Sequence, residues 1–299
     1  MRSEATERRS HWVAKLENLS GSFGDDSTKM FEELQEDIRQ DEEALLDHLR
    51  LCGAIPEQYG HDSSEEKLYS KYTDAVLSEA LSAMGLNSKV LDARGDAADV
   101  QARASAYSLV ADAKAFRLSR TAKNQKDFKV QAMDGWRRGL DYAVVVCPIY
   151  QLPARTSQIY QQAIKRNVCV LSYSHLGALV SLAMRTEPAR SEKGLNEILK
   201  SVSILHPSKN SVDYWTGINR ALVSSLGSDI DLWKTEKIAS QESLAIVKEE
   251  SIQYLTAERD RLLSLSHQEA LNELVEMAGS NSRIQKVERI KHGSLLGVE

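Results

Sequence analysis

The chain has 299 residues, 42% of them hydrophobic and 27% charged, with a formal net charge of −5. That balance excludes wholesale disorder and leaves room for one large α/β domain or two modest ones, and no apolar run approaches the ~20 residues that span a bilayer. Cys52, Cys147 and Cys169 show no CxxC spacing and Met1-Arg2-Ser3-Glu4 lacks an apolar export core, so a reduced, cytoplasmic setting with no membrane attachment is expected.

In chain order, Trp12, Val13, Leu16 and Leu19 recur at helical spacing and predict a helix over 8–20, closed by the turn Gly21-Ser22-Phe23-Gly24-Asp25. Met30, Phe31, Leu34, Ile38, Leu45, Leu46 and Leu49 keep one apolar stripe and predict a single helix over 28–51, ended before Gly53 and Pro56. Ser63 or Ser64 can cap a third helix that runs to Met84 and stops at Gly85 and Asn87. Val90-Leu91 and Val100 mark short extended pieces around a polar turn at Arg94–Asp99, and Tyr107–Phe116 reads as a strand. A helix over 125–137 would bury Phe128, Ala132 and Trp136. Strand Tyr142–Cys147, helix Gln158–Arg166, strand Val168–Tyr173 and helix His175–Met184 then imply a parallel strand pair with a right-handed crossover. Beyond 190 the chain reads as helical, with a long segment over 235–265 and shorter ones over 267–278 and 282–291. The expected fold is an α/β mixed sheet flanked by helices, with extra helices at both ends. It divides into an N-terminal helical segment (1–60), a core (61–190) and a C-terminal helical region (191–299) packed on the core as one domain.

The chemistry concentrates at Leu109-Val110-Ala111-Asp112-Ala113-Lys114-Ala115-Phe116. Side chains alternate along a strand, so Asp112 and Lys114 share a face while Ala113 points the other way. A carboxylate and an ammonium at the end of a buried strand are costly without partners or a use. Phosphodiester hydrolysis supplies one, because carboxylates can hold Mg²⁺ and a lysine can orient or deprotonate water. Asp112 and the carbonyl of Ala113 can serve as ligands, and Asp99 can add a second carboxylate if the two strands pair as a hairpin. Asp127 follows in the same tract and serves either near the metal or as an exposed helix acid. Glu66, in a first helical turn, is a weaker candidate that helix-dipole stabilisation explains as well.

The charge is unevenly spread. Residues 22–66 hold fourteen Asp/Glu against three Lys/Arg, whereas residues 111–140 hold eight Lys/Arg against three Asp. A local basic footprint, not the total, governs nucleic-acid affinity. In the tract Arg117–Lys129, Asn124 and Lys126 suit base edges, and Arg117, Arg120 and Lys123 suit phosphates. The scattered histidines form no HExxH pair, and GxxxxGK[ST], GxGxxG and GxSxG are absent. The residues point to a phosphodiester-cleaving nuclease, against which stand a nuclease directed by DNA structure in repair or recombination and a DNA-binding protein that does not cut.

The run LVADAKAFRLSRTAKNQKDFKV at Leu109–Val130 strongly resembles type II restriction endonucleases of the HindIII type. Shorter similarities at Glu66–Lys71, Leu86–Lys89, Arg94-Gly95, Asp141–Val144 and Ser157–Ile159 extend the resemblance over about residues 64–180. It implies a PD-(D/E)xK nuclease fold and a Mg²⁺-dependent homodimer. It also implies cleavage of double-stranded DNA at the palindrome AAGCTT after the first A, and a companion methyltransferase that protects host DNA. On the family's motif the first acid corresponds to Asp99, the second to Asp112 and the lysine to Lys114, with Ala98 where the motif has proline and Asp96 close by. Asp127 matches an acid of the related basic tract. The long segment over 235–265 is the expected dimer contact.

Overall fold

The computed structural model describes residues 3–18, 20–91, 97–120 and 125–289, without the side chains of 125 and 126. The chain divides into two compact units, Met1–Ser251 and Ile252–Glu299. Among the described residues no helix is long and apolar enough to cross a membrane.

The first unit is built on a five-stranded sheet in the order β1 (Asn87–Val90), β2 (Val100–Arg103), β3 (Ser108–Ala113), β4 (Tyr142–Cys147), β5 (Val168–Ser172). The first two pairings are antiparallel and the last two parallel, as the strand–helix–strand spacing predicts. β4 and β5 are almost wholly buried, which explains their unbroken runs of Val, Ile-sized and small residues: helices cover both of their faces. The fold is the mixed, helix-flanked α/β class expected. Helix α4 (Ser64–Ala83) lies across β1, β2 and β3 and packs against α8 (Tyr173–Arg185), whereas α6 (Val130–Trp136) and α7 (Gln158–Arg166) pack together against β4 and β5. The cap of α4 is the expected one, with the Ser63 hydroxyl accepting from the Glu66 amide at 3.2 Å.

Two expected helices are broken. The segment over 28–51 is α2 (Phe23–Gln40) and α3 (Ala44–Leu51), parted at Asp41, whose backbone is extended. The stripe of leucines runs through the break in phase, so periodicity could not reveal it. Arg8, on α1 (Ser3–Glu17), explains it: one guanidinium binds Asp37 (3.2 Å), Asp41 (2.9 Å) and Asp47 (2.7 Å), drawing acids from both helices around a single cation. The segment over 125–137 is α5 (Gln125–Phe128) and α6, because Lys129 adopts a left-handed conformation with φ 44°. That step rephases the helix, so Phe128, Val130 and Met133 are buried, while Ala132 and Trp136 are only half-buried.

The C-terminal helices are α9 (Pro188–Ser203), α10 (Ser211–Leu226), α11 (Ile230–Ser264), α12 (His267–Met277) and α13 (Ser280–Glu288). The buried residues of α11 are Leu232, Trp233, Glu236, Ala239, Ser243, Val247 and Ser251, a helical stripe that ends where the first unit ends.

Candidate active site

The hairpin of β2 and β3 sets Val100 across from Ala111. One further step along the same ladder brings Asp99 beside Asp112. Asp112 is almost fully buried and ion-paired with Lys114 through its Oδ2, as expected for two side chains on one strand face. Ala113 lies between them, paired in register with Val146 of β4, and the Lys114 amide donates to the Val146 carbonyl at 2.7 Å.

A third carboxylate comes from α4. Asp74 is buried on the helix face turned to the sheet, and one oxygen from each of Asp74, Asp99 and Asp112 lies within 4.8 Å of the others. Lys71, one helical turn before Asp74, binds Asp99 at 3.1 Å and stands 3.9 Å from Asp74. Burial pushes the Asp74 carboxyl well above the usual range, and the negative charges of Asp99 and Asp112 push it further, against Lys71 and Lys114. Asp112 is also raised by burial, with Lys114 opposing. Burial would raise Asp99 too, but the charge of Lys71 and hydrogen bonds with Asp112 and Lys71 outweigh it and hold Asp99 below its ordinary value. Lys129 adds positive charge toward both Asp99 and Asp112.

The segment that follows Lys114 is braced from two sides. The Tyr173 hydroxyl donates to the Lys114 carbonyl at 3.0 Å. The Phe116 amide donates to Gly53 (3.0 Å), and the Ile55 amide donates back to Phe116 (3.2 Å). Glycine is required at 53, since a Cβ there would lie 2.8 Å from Pro148 and 3.0 Å from the Tyr173 ring. Arg9 and Tyr69 in turn hold the Ala54 carbonyl, at 3.1 and 2.8 Å.

Of the residues singled out from sequence, the structure gathers Asp99, Asp112, Ala113 and Lys114. Asp127 is not in this acid group and binds Arg120 at 2.6 Å. Glu66 receives the Arg117 guanidinium (2.7 Å) and the Asp62 amide (2.6 Å), and Arg117 also donates to the carbonyls of Tyr59 and Gly60. Arg117 therefore spends its donors inside the protein. Arg120 remains about half exposed, over the Phe116 ring. Asp96, Lys123 and Asn124 lie outside the described residues, as does the side chain of Lys126. Sequence reasoning missed Asp74 and Lys71. The available signal was an acid inside a helix whose neighbours Tyr72, Ala75 and Val76 are core residues, since helices buried nearly all round rarely carry an acid without a use.

Three carboxylates are the hard oxygen donors that Mg²⁺ prefers. Burial, with the charges of Asp99 and Asp112 added, raises Asp74 more than Lys71 and Lys114 lower it. The donor set fits a divalent cation. A groove of about 830 Å³ between α9 and α10 shares no lining residue with it.

Residues 10–291 match the family model for the HindIII restriction endonuclease. The chain is also 35% identical over 258 residues to the type II restriction enzyme HindIII of Haemophilus influenzae, a match that covers 83% of this chain and 84% of that enzyme.

Proposed function

Because the chain belongs to the HindIII restriction endonuclease family and is a type II site-specific deoxyribonuclease, we propose that it cuts double-stranded DNA at AAGCTT after the first A in a Mg²⁺-dependent reaction. The products carry 5′-phosphates on 5′ overhangs and 3′-hydroxyls. Asp99, Asp112 and the carbonyl of Ala113 hold the metal, joined by Asp74, and the site is of the PD-(D/E)xK kind. The observation that carries this reading is the convergence of three carboxylates within 4.8 Å beside the Asp112–Lys114 pair. When bound, the cation stabilises charge on the phosphoryl oxygens.

The remaining work belongs to the chain. Lys114, entering as the neutral amine, orients the attacking water and takes its proton, and Asp112 fixes the ammonium so formed. The water oxygen bonds to phosphorus opposite the 3′-oxygen, the P–O3′ bond breaks, and the 3′-oxygen takes a proton from solvent water. Tyr173 and the Gly53–Phe116 pairing hold the Lys114 backbone while this happens. Arg120, Lys123, Lys126 and Asn124 meet the DNA, the first two at phosphates and the last two at base edges. Arg117 supports the site through Glu66, and Asp127 positions Arg120. The enzyme acts as a homodimer, because a two-fold protein matches a two-fold site and supplies one active site per strand. A methyltransferase of the same restriction–modification system protects the host site, and the enzyme works in the cytoplasm.

The test is digestion of a plasmid carrying one AAGCTT, with Mg²⁺ or with a chelator, followed by run-off sequencing of the ends. One cut per strand at A↓AGCTT, abolished by the chelator, is the expected result. Random ends or cutting in the chelator would refute the assignment.

A further inference from the structure

The second unit has an unusual surface. Neither α12 nor α13 buries a residue. Yet Leu271, Leu274 and Val275 of α12 and Ile284 and Val287 of α13 are all exposed. At helical spacing Leu271, Leu274 and Val275 fall on one side of α12, and Ile284 and Val287 on one side of α13. Helices of eleven and nine residues are too short to persist in water on propensity alone. Their apolar sides therefore need a cover.

Charge narrows what the cover is. Across the described residues 252–289, acids and bases nearly balance, so this stretch lacks the basic footprint of a DNA arm. Within it the signs are separated. α12 carries Glu269, Glu273 and Glu276 and no Lys or Arg, while α13 carries Arg283 and Lys286 against Glu288. A surface with one acidic and one basic helix complements a two-fold copy of itself. When two such hairpins meet on their apolar sides, each acidic helix can lie next to the partner's basic helix, and signs alternate around a four-helix bundle.

We propose that the α12–α13 hairpin is a dimerisation element, which packs on the same hairpin of a second copy of this chain. This rests on the dimeric part of the reading above and gives it a surface. It also moves the contact away from the first part of α11, whose buried stripe to Ser251 is taken by the chain's own first unit.

Sedimentation of the full-length protein, without DNA or metal, tests it, so a failure of the nuclease reading leaves the readout intact. The wild type should sediment as two chains and Leu271→Glu/Ile284→Glu as one, with unchanged helical circular dichroism. A charge exchange removes ambiguity about folding. Gln268→Lys/Asn272→Lys/Glu276→Lys makes α12 basic, and Arg283→Glu/Lys286→Glu makes α13 acidic. Each alone should be monomeric, and an equimolar mixture should recover the two-chain mass as a heterodimer. A monomeric wild type, a stripe variant that stays dimeric, or a mixture that stays monomeric would overturn the proposal. The second outcome combined with weakened DNA binding would make the hairpin a DNA contact, and the third would make it a patch covered within its own chain.

Discussion

Two clusters of buried charge in the first unit treat their acids in opposite ways. Around Arg8, burial alone would raise Asp37, but hydrogen bonds from His48 and Trp12 and the charges of His48 and Arg8 overturn that and hold it well below the usual carboxylate range. At the hairpin of β2 and β3, burial and neighbouring acids drive Asp74 well above that range. The first cluster binds an oxygen of each acid to the Arg8 guanidinium and ties α1 to α2 and α3. The second holds its three carboxylates within 4.8 Å of one another, with Lys71, Lys114 and Lys129 around them, and keeps Asp74 there although burial and like charge disfavour its ionised form. An acid held low by its own donors serves the fold, and an acid held high among other carboxylates points to a ligand of opposite sign.

The largest expected effect falls on the second cluster. Asp112→Asn or Lys114→Ala should lower single-turnover cleavage by about 10²–10⁴-fold, the range for lost acid–base assistance, with gel-shift affinity for the site retained. In the metal-free protein Asp112→Asn should leave the melting temperature little changed, whereas Lys114→Ala should lower it, because the buried Asp112 carboxylate loses its main counter-charge. For Asp74→Asn that temperature should hold or rise, because an acid strained by like charges is gone.

Matched charge should behave the other way. Glu236 is buried against Arg50, and Glu236→Ala leaves that guanidinium without its main counter-charge, at a cost of about 3–5 kcal/mol in denaturant unfolding. Loss of cleavage should track loss of folded protein there and nothing more.

A third test uses pH. His175 is buried with Nε2 3.0 Å from Asn219, and burial pushes it down to about 4, with the Asn219 contact opposing. Its unfolded form takes a proton near pH 6.5, so the folded protein should keep full stability above that. It should lose about 3 kcal/mol as pH falls from there through 4. Melting curves of His175→Gln should lack that part of the acid slope. The smallest effect is that of Tyr173→Phe. Removing one hydrogen bond to the Lys114 carbonyl, worth about 1 kcal/mol, should slow cleavage about five-fold at unchanged site affinity.

How far the sequence could be read depended on where each signal was written. The Asp112–Lys114 pair is local to one strand, and Asp99 needed only a hairpin, so both followed from alternation and pairing. β4 and α7 were legible to the residue because their ends are punctuated, by Pro148 for the strand and by Ser157 and Asn167 for the helix. Asp74 was not, since nothing in α4 says which of its faces meets the β2–β3 hairpin. The break at Asp41 was hidden as well, because its cause, Arg8, lies on another helix. The fate of Arg117 was equally remote. In sequence it belongs to a basic tract, and in space Glu66 and two carbonyls claim it.

The central claim is that the carboxylates of Asp74, Asp99 and Asp112 converge to bind a divalent cation beside a DNA phosphate. The direct measurement is the single-turnover cleavage rate of a one-site duplex across a Mg²⁺ series, for the wild type and Asp74→Asn. The account predicts no cutting in chelator, a saturable rise with Mg²⁺, and a shift of that rise to higher Mg²⁺ in the variant. Superimposable curves, or a wild type that cuts without metal, would contradict it.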